Sequence, residues 1–94
     1  MRTEIYNELA LHFVENETTD ETLFTGFSSE SGEVMKERMK EVRKKMDRTD
    51  EIIDECSDVL WYITVIAHKR GKTLKDLMDH NISKLELRLL GNKV

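Results

Sequence analysis

The chain contains no proline and only four glycines among its 94 residues. These two residue types end helices and shape tight turns, so their scarcity permits long helices and disfavours a turn-rich β fold. A chain of this length forms one small domain, residues 1–94, and buries only a modest fraction of its surface. We therefore expect a single all-α domain that associates with further copies of itself.

The spacing of the apolar residues predicts four amphipathic helices. The expected helices span about residues 3–15, 18–46, 49–70 and 73–90. Thr18 and Glu21 form a capping-box pattern at the start of the second helix, and Gly71 is the expected C-cap of the third. Because the connections are short, we expect a compact four-helix bundle that is oligomeric.

The second half of the third helix raises a packing question, because apolar residues occur there on nearly every side. A helix that is apolar all round must be covered all round. Val59 and Ile63 can face the bundle, whereas Trp61 and Val65 fall on the opposite side and need another partner. A second subunit is the common explanation for such a surface, and the aromatic base of a ligand is the alternative.

Charge and cysteine content narrow the function classes. The formal net charge is −4, and we interpret the only basic cluster, RKKMDR at 43–48, as a solvated helix end rather than a nucleic-acid platform. The single Cys56 excludes an intrachain disulfide and a thiolate zinc site. The apolar run 59–67 is too short to span a bilayer, and no signal-peptide pattern is present. We expect a cytoplasmic protein that binds neither membrane nor nucleic acid.

Two pairs of carboxylates stand out when each helix is projected at about 100° per residue. Glu30 and Glu33 lie on one row of the second helix, at the edge of its apolar stripe, and Gly32 between them allows another helix to approach closely. Glu55 and Asp58 lie on a similar row of the third helix. If the two helices pack antiparallel, the four carboxylates converge.

Four converging carboxylates repel one another unless they are protonated or hold cations. All four are hard oxygen ligands, which favours magnesium or manganese over zinc. No Glu-x-x-His pattern accompanies them, which argues against a di-iron site. The alternative is that they are ordinary acids on solvated helix edges, since pairs three residues apart recur along this acid-rich chain.

These residues and their flanks resemble the all-α nucleoside triphosphate pyrophosphohydrolases of the MazG-like group. The resemblance covers about residues 23–88 and is carried by GFSSESGEVMKE (26–37) and by the stretch that begins DEIIDECSDVLWY at residue 50. That group carries Glu-x-x-Glu on one helix and Glu-x-x-Asp on the next. The matching residues here are Glu30 and Glu33, then Glu55 and Asp58.

The resemblance implies hydrolysis of a nucleoside or deoxynucleoside triphosphate to the monophosphate and pyrophosphate. It implies magnesium, with manganese possible, held by Glu30, Glu33, Glu55 and Asp58. Glu33 is also implied to orient or deprotonate the attacking water. The implied substrate-binding residues are Asn81, Lys84, Arg88, Tyr62 and Trp61. His80 and Leu85 depart from the group's pattern, in which a lysine often precedes that asparagine and a second asparagine often follows that lysine.

Two other functions stay open on the sequence alone. One is a non-catalytic dimeric helical adaptor that uses the 59–67 surface only for assembly. The other, which the flanking sequence fits less well, is a phosphoribosyl-ATP pyrophosphohydrolase. The expected assembly is a homodimer or a dimer of dimers, and the sequence does not name the base or the sugar of the substrate.

Overall fold

A computed structural model describes residues 1–15 and 17–91 of the chain. Over these residues the protein is all-helical, with four α-helices and no strand, which confirms the predicted all-α class. α1 spans Thr3–Leu11, α2 spans Asp20–Lys44, α3 spans Thr49–Lys69 and α4 spans Leu74–Gly91. Within this part of the chain, no helix combines the length and the apolar character that crossing a membrane requires.

Short polar side chains and a glycine set the helix ends. The N-cap of α2 is Thr19, one residue after the predicted Thr18, and its Oγ1 accepts a hydrogen bond from the Thr22 N–H at 3.2 Å. Thr73 and Asp76 form a reciprocal capping box at the start of α4. Gly71 follows α3 with φ 76°, a left-handed conformation that favours glycine, so the predicted stop is confirmed.

α1 is shorter than the expected 3–15. It ends at Leu11, and the N–H groups of residues 12–14 then bond to carbonyl oxygens three residues back. Such bonds tighten the last turn and end an α-helix. The predicted helix therefore exists, but its final turn does not continue the α-helical pattern.

The buried apolar residues gather at one end of the molecule. Leu23 near the start of α2 and Val65 near the end of α3 are 1% and 0% exposed. Arg70, just after α3, lies 3.2 Å from Asp20 at the start of α2, so these two ends are adjacent and the helices are antiparallel. Burying one such aliphatic side chain stabilises the fold by about 1.5–3 kcal/mol. This end of the α2–α3 pair is therefore the core of the chain.

α1 lies against α3 on the surface for which the sequence supplied no obvious partner. The Trp61 Nε1–H donates a hydrogen bond to the Ala10 carbonyl oxygen at 3.0 Å, and Val65 is fully buried. The expectation that these two residues need a second subunit is therefore wrong, because the same chain covers them. α1 also supports α4, since the Asn7 Oδ1 accepts a hydrogen bond from the Leu74 N–H at 2.8 Å.

α4 packs only through its beginning. Leu74 is buried and Leu77 half-buried, whereas every residue from 78 to 91 is exposed. Within the described chain α4 contacts α1 and α3 but not α2. The radius of gyration is 16.1 Å, compared with about 12 Å for a compact domain of this length. A single chain therefore does not form the compact bundle that the sequence predicted.

A second uncovered surface lies on the α2–α3 pair, away from the core. It consists of large apolar side chains that are 40–62% exposed. We call it the apolar hairpin face; its residues are Met35, Met39, Val42, Ile53 and Leu60. Isolated exposed apolar residues are ordinary, but a contiguous set on one face marks an interaction surface.

Candidate metal centre

α2 and α3 run side by side, and the predicted carboxylates lie midway along the pair. The chain reverses over residues 45–48, where Lys45 adopts a left-handed conformation with φ 51° and ends α2. The pair is held at one end by the buried core around Leu23 and Val65 and at the other by contacts of Arg48. The carboxylate-bearing turns lie between these two fixed points.

Three of the four predicted metal ligands converge. One carboxylate oxygen from each of Glu30, Glu55 and Asp58 lies within 4.8 Å of the other two. Glu30 and Glu55 are half-buried, and Asp58 is exposed. Three hard oxygen donors with an open side suit magnesium or manganese, which keep several water ligands in sites of this kind.

The negatively charged carboxylates of this cluster repel one another in the metal-free protein. The Glu30 carboxyl, which forms a hydrogen bond with Glu55, raises the pKa of Glu55 above its ordinary value. Partial burial and the negative charges of Asp58 and Asp54 act in the same direction. A bound cation would oppose this repulsion, so the cluster has an electrostatic reason to take one.

Glu33 lies outside the cluster. It follows Glu30 by one turn, but its Oε1 accepts a hydrogen bond from the Lys36 Nζ at 3.2 Å. The Glu33 side chain is 38% exposed and that of Lys36 is 65% exposed, so water screens their ion pair. The structure thus brings together three of the four predicted carboxylates and places the fourth beside them, paired with a lysine.

A buried ion pair joins α2 to the start of α3. Glu37 is only 7% exposed, and its carboxylate accepts hydrogen bonds from the Arg48 Nε at 2.9 Å and the Lys40 Nζ at 3.1 Å. Arg48 and Lys40 hold the pKa of Glu37 below its ordinary value. The interpretation of the 43–48 cluster as a solvated helix end is therefore wrong for Arg48. Its partner Glu37, eleven residues earlier in the sequence, was not identified from the sequence.

Gly26, rather than Gly32, is the glycine at which the two helices approach closely. A Cβ added at Gly26 would lie 2.6 Å from the Tyr62 Oη and closer still to two ring carbons. A Cβ added at Gly32 would meet no atom within 4 Å. The packing role expected for Gly32 is therefore wrong, and the same role belongs to the glycine six residues earlier.

Tyr62 places a phenol one turn beyond Asp58, between the core and the carboxylate cluster. Its ring meets that of Trp61 edge-on, with 5.0 Å between centroids and an interplanar angle of 82°. Tyr62 also lines an open cleft of about 490 Å³ whose other walls come from the first turns of α2. The lining residues are Glu21, Thr22, Thr25, Gly26, Ser29 and Tyr62.

The two remaining groups of predicted substrate-binding residues lie in different places. Asn81, Lys84 and Arg88 are all exposed on the part of α4 that leaves the core. Since α4 does not contact α2, this chain does not bring them against Glu30. The Trp61 indole N–H is engaged by α1, so its ring is held at the α1–α3 junction.

The geometry supplies a three-carboxylate cluster on two helices fixed at both ends, with a hydroxyl-lined cleft nearby. Such a site can bind a divalent cation together with an anionic ligand. Comparison of the chain with protein-family models, with curated proteins and with solved structures finds no match.

Proposed function

We propose that this chain is a magnesium-dependent pyrophosphohydrolase of nucleoside or deoxynucleoside triphosphates, acting in the cytoplasm. The observation that carries the proposal is the convergence of Glu30, Glu55 and Asp58 from two helices. Together with Glu33, these residues make up the Glu-x-x-Glu and Glu-x-x-Asp pattern by which the sequence resembles the MazG-like group. The raised pKa of Glu55 adds a physical reason for the cluster to hold a cation.

In the proposed reaction, Glu30, Glu55 and Asp58 hold the metal. Bound magnesium, or manganese in its place, supplies charge neutralisation for the triphosphate and a lower pKa for a coordinated water. The water oxygen bonds to the α-phosphorus, the bond from that phosphorus to the bridging oxygen breaks, and pyrophosphate leaves. Hydrolysis at this bond yields the nucleoside monophosphate.

Glu33 is the proposed base that orients the water and accepts its proton. It lies one turn from Glu30 and outside the three-carboxylate cluster, so it is available for a proton rather than a metal. Its present partner, Lys36, is exposed, so water can replace the ion pair between them at little cost in free energy. The proposed role requires that the Lys36 ammonium group move away from Glu33 when substrate binds.

Substrate contacts are proposed for two regions. The cleft beside Tyr62 offers hydroxyl groups that suit a sugar or a base edge, with Trp61 packed against Tyr62. The basic row of Asn81, Lys84 and Arg88 offers donors for phosphate oxygens. Because α4 does not contact α2 within one chain, these three residues can bind the phosphates in two ways. Either the triphosphate extends beyond the carboxylates toward α4, or α4 binds a triphosphate held by the carboxylates of a second copy.

The proposal is tested by incubating the full chain with Mg²⁺ and a panel of canonical and modified triphosphates in water enriched in ¹⁸O. We expect pyrophosphate and the monophosphate as the only products, with the label in the monophosphate because water attacks the α-phosphorus. Glu33→Gln is expected to lose at least about 100-fold of this activity, which lies within the usual range for removing a general base.

Release of single phosphates, or label in pyrophosphate, would contradict the proposed bond cleavage. If no triphosphate is hydrolysed and Mg²⁺ does not bind, the exposed apolar hairpin face favours the second candidate, a non-catalytic helical adaptor. A screen that includes phosphoribosyl-ATP separates the third candidate from a general triphosphatase, since that enzyme would accept this substrate alone.

A homodimer is proposed as the working form. The chain exposes 7411 Å², whereas a compact monomer of 11.1 kDa exposes about 5,700 Å². The excess of about 1,700 Å² lies within the share of surface that each partner buries in an obligate dimer. The apolar hairpin face and the uncovered end of α4 are the surfaces that could supply it.

We expect light scattering after gel filtration to give twice the 11.1 kDa of one chain, or four times if dimers pair. Met39→Glu should shift the protein to the monomer, because an unpaired carboxylate would be buried at the interface. Phe13→Glu is the control, since Phe13 is also exposed but lies outside the apolar hairpin face. A wild-type monomer at micromolar concentration would contradict the dimer.

A further inference from the structure

The start of α3 is attached to two successive turns of α2. The Arg48 Nε donates to the Glu37 Oε2 at 2.9 Å, and the Arg48 backbone N–H donates to the Glu41 Oε2 at 2.9 Å. The Arg48 guanidinium also lies 3.5 Å from Glu51 on the next turn of α3. A residue held in this way fixes both the axial and the rotational position of the helix that it begins.

The ion pair and the carboxylate cluster share one register. Glu37 follows Glu30 by seven residues, and Arg48 precedes Glu55 by seven residues. Seven residues are about two helical turns, or about 10.5 Å, along either axis. Because α2 and α3 are antiparallel, the register that sets Glu37 against Arg48 is the register that sets Glu30 against Glu55.

The metal-free cluster does not favour that register by itself. Its carboxylates repel, and a slip of one turn, about 5.4 Å, would separate Glu30 from Glu55. The apolar side chains between the helices beside the cluster, Val34 and Val59, are only half-buried, so their packing holds the register less firmly than a buried core would. The ion pair is the buried polar contact at this end of the hairpin that resists such a slip.

We propose that Glu37 and Arg48 are a positioning pair, which holds α2 and α3 in the register that assembles the metal ligands before any metal arrives. The inference rests on the proposed function, because it assigns the pair to that metal site. Neither residue touches the metal or the substrate. Their effect passes through the relative position of the two helices.

The first measurement is Mn²⁺ binding to the full chain, followed by the loss of the free-ion signal in electron paramagnetic resonance. Arg48→Gln is expected to weaken Mn²⁺ binding at least about ten-fold, the range in which residues behind metal ligands act. Lys40→Gln is the matched control, because Lys40 binds the same Glu37 carboxylate but from within α2. It is expected to change Mn²⁺ affinity less than about two-fold.

The second measurement monitors the register without any metal. Ser31 on α2 and Cys56 on α3 line the same groove. With Ser31→Cys introduced, a short bifunctional thiol reagent should join positions 31 and 56 within the chain. We expect the rate of this crosslink to fall several-fold when Arg48→Gln is added and to stay unchanged with Lys40→Gln.

The outcomes separate this inference from the proposed function. If wild-type protein binds no Mn²⁺ but Arg48→Gln slows the crosslink, the metal site is wrong and the register role stands. If Arg48→Gln lowers the melting temperature yet keeps both Mn²⁺ affinity and crosslinking rate, the pair is only a stabilising contact and the inference is wrong. Should Arg48→Gln not fold, Glu37→Gln serves, since it keeps the shape of the side chain but removes the charge that pairs with Arg48. Equal Mn²⁺ affinity and crosslinking rate in this variant overturn the inference.

Discussion

Glu55→Gln is expected to lower magnesium-dependent pyrophosphate release at least about 100-fold while the protein stays folded. Glu55 supplies one of the three converging oxygens and contacts the Glu30 carboxyl. Glutamine keeps the shape of the side chain but removes its negative charge, so the cluster loses a ligand that a divalent cation prefers. Asp54→Asn is the matched control, because it removes the same charge from the adjacent residue, which lies outside the cluster.

Although Glu55→Gln should lower activity, it should not lower the stability of the metal-free protein. A folded-state pKa above the unfolded value means that the folded chain binds the Glu55 proton more tightly. Stability is therefore lost as the pH rises from the ordinary glutamate pKa through the raised one. Glu55→Gln carries no such charge, so at neutral pH its melting temperature without metal should equal or exceed that of the wild type.

The two measurements together test the site. Thermal melting followed by circular dichroism at pH 7 and near pH 4, with and without Mg²⁺, measures the stability of each variant. Pyrophosphate release measures its activity. A variant that loses activity because it unfolds would contradict the proposal, as would one that keeps full activity. Asp54→Asn should retain activity within a few-fold of the wild type.

Gly26→Ala and Gly32→Ala, although only six residues apart on α2, should change stability in opposite directions. The new methyl group at Gly26 overlaps the Tyr62 ring, and such overpacking lowers the free energy of unfolding by about 1–3 kcal/mol. The new methyl group at Gly32 meets nothing, so its gain in helix propensity raises that free energy by about 0.5–1 kcal/mol. Urea unfolding monitored by circular dichroism measures both changes.

The same pair of variants also tests the cleft. Because Tyr62 lines it, moving the ring in Gly26→Ala should raise KM for a triphosphate, whereas Gly32→Ala should leave KM unchanged. Equal stabilities of the two variants would show that the ring rotates away without strain. An unchanged KM in a destabilised Gly26→Ala would separate Tyr62 from substrate binding.

Local patterns in the sequence were enough to predict most of the secondary structure. Helical spacing predicted four helices, and a threonine cap and Gly71 predicted two of their ends. The helical projection also selected Glu30, Glu33, Glu55 and Asp58 from many acids on the expectation that α2 and α3 are antiparallel, and three of these four converge. These predictions depend on neighbours within a turn or two along the chain.

The failures arise where contacts are distant in sequence. The sequence cannot show that α1 folds back over Trp61, because that hydrogen bond joins residues 51 positions apart. It likewise gave Gly32 a role that belongs to Gly26, since the difference lies in where the Tyr62 ring points. The sequence also did not show that Glu33 pairs with Lys36 instead of joining the other three carboxylates, because this depends on the direction of its side chain. The exposed end of α4 is a property of the single chain that helical periodicity does not encode.

Anchoring α2 and α3 at both ends has a consequence for how a ligand is admitted. The buried core around Leu23 and Val65 at one end and Arg48 with Glu37 at the other leave the intervening backbone little freedom to hinge. The carboxylates are thus preorganised, and the entropy lost when an ion binds is confined to a few side-chain rotamers. If the proposed site holds an ion, its binding would require rearrangement of side chains rather than slow domain closure.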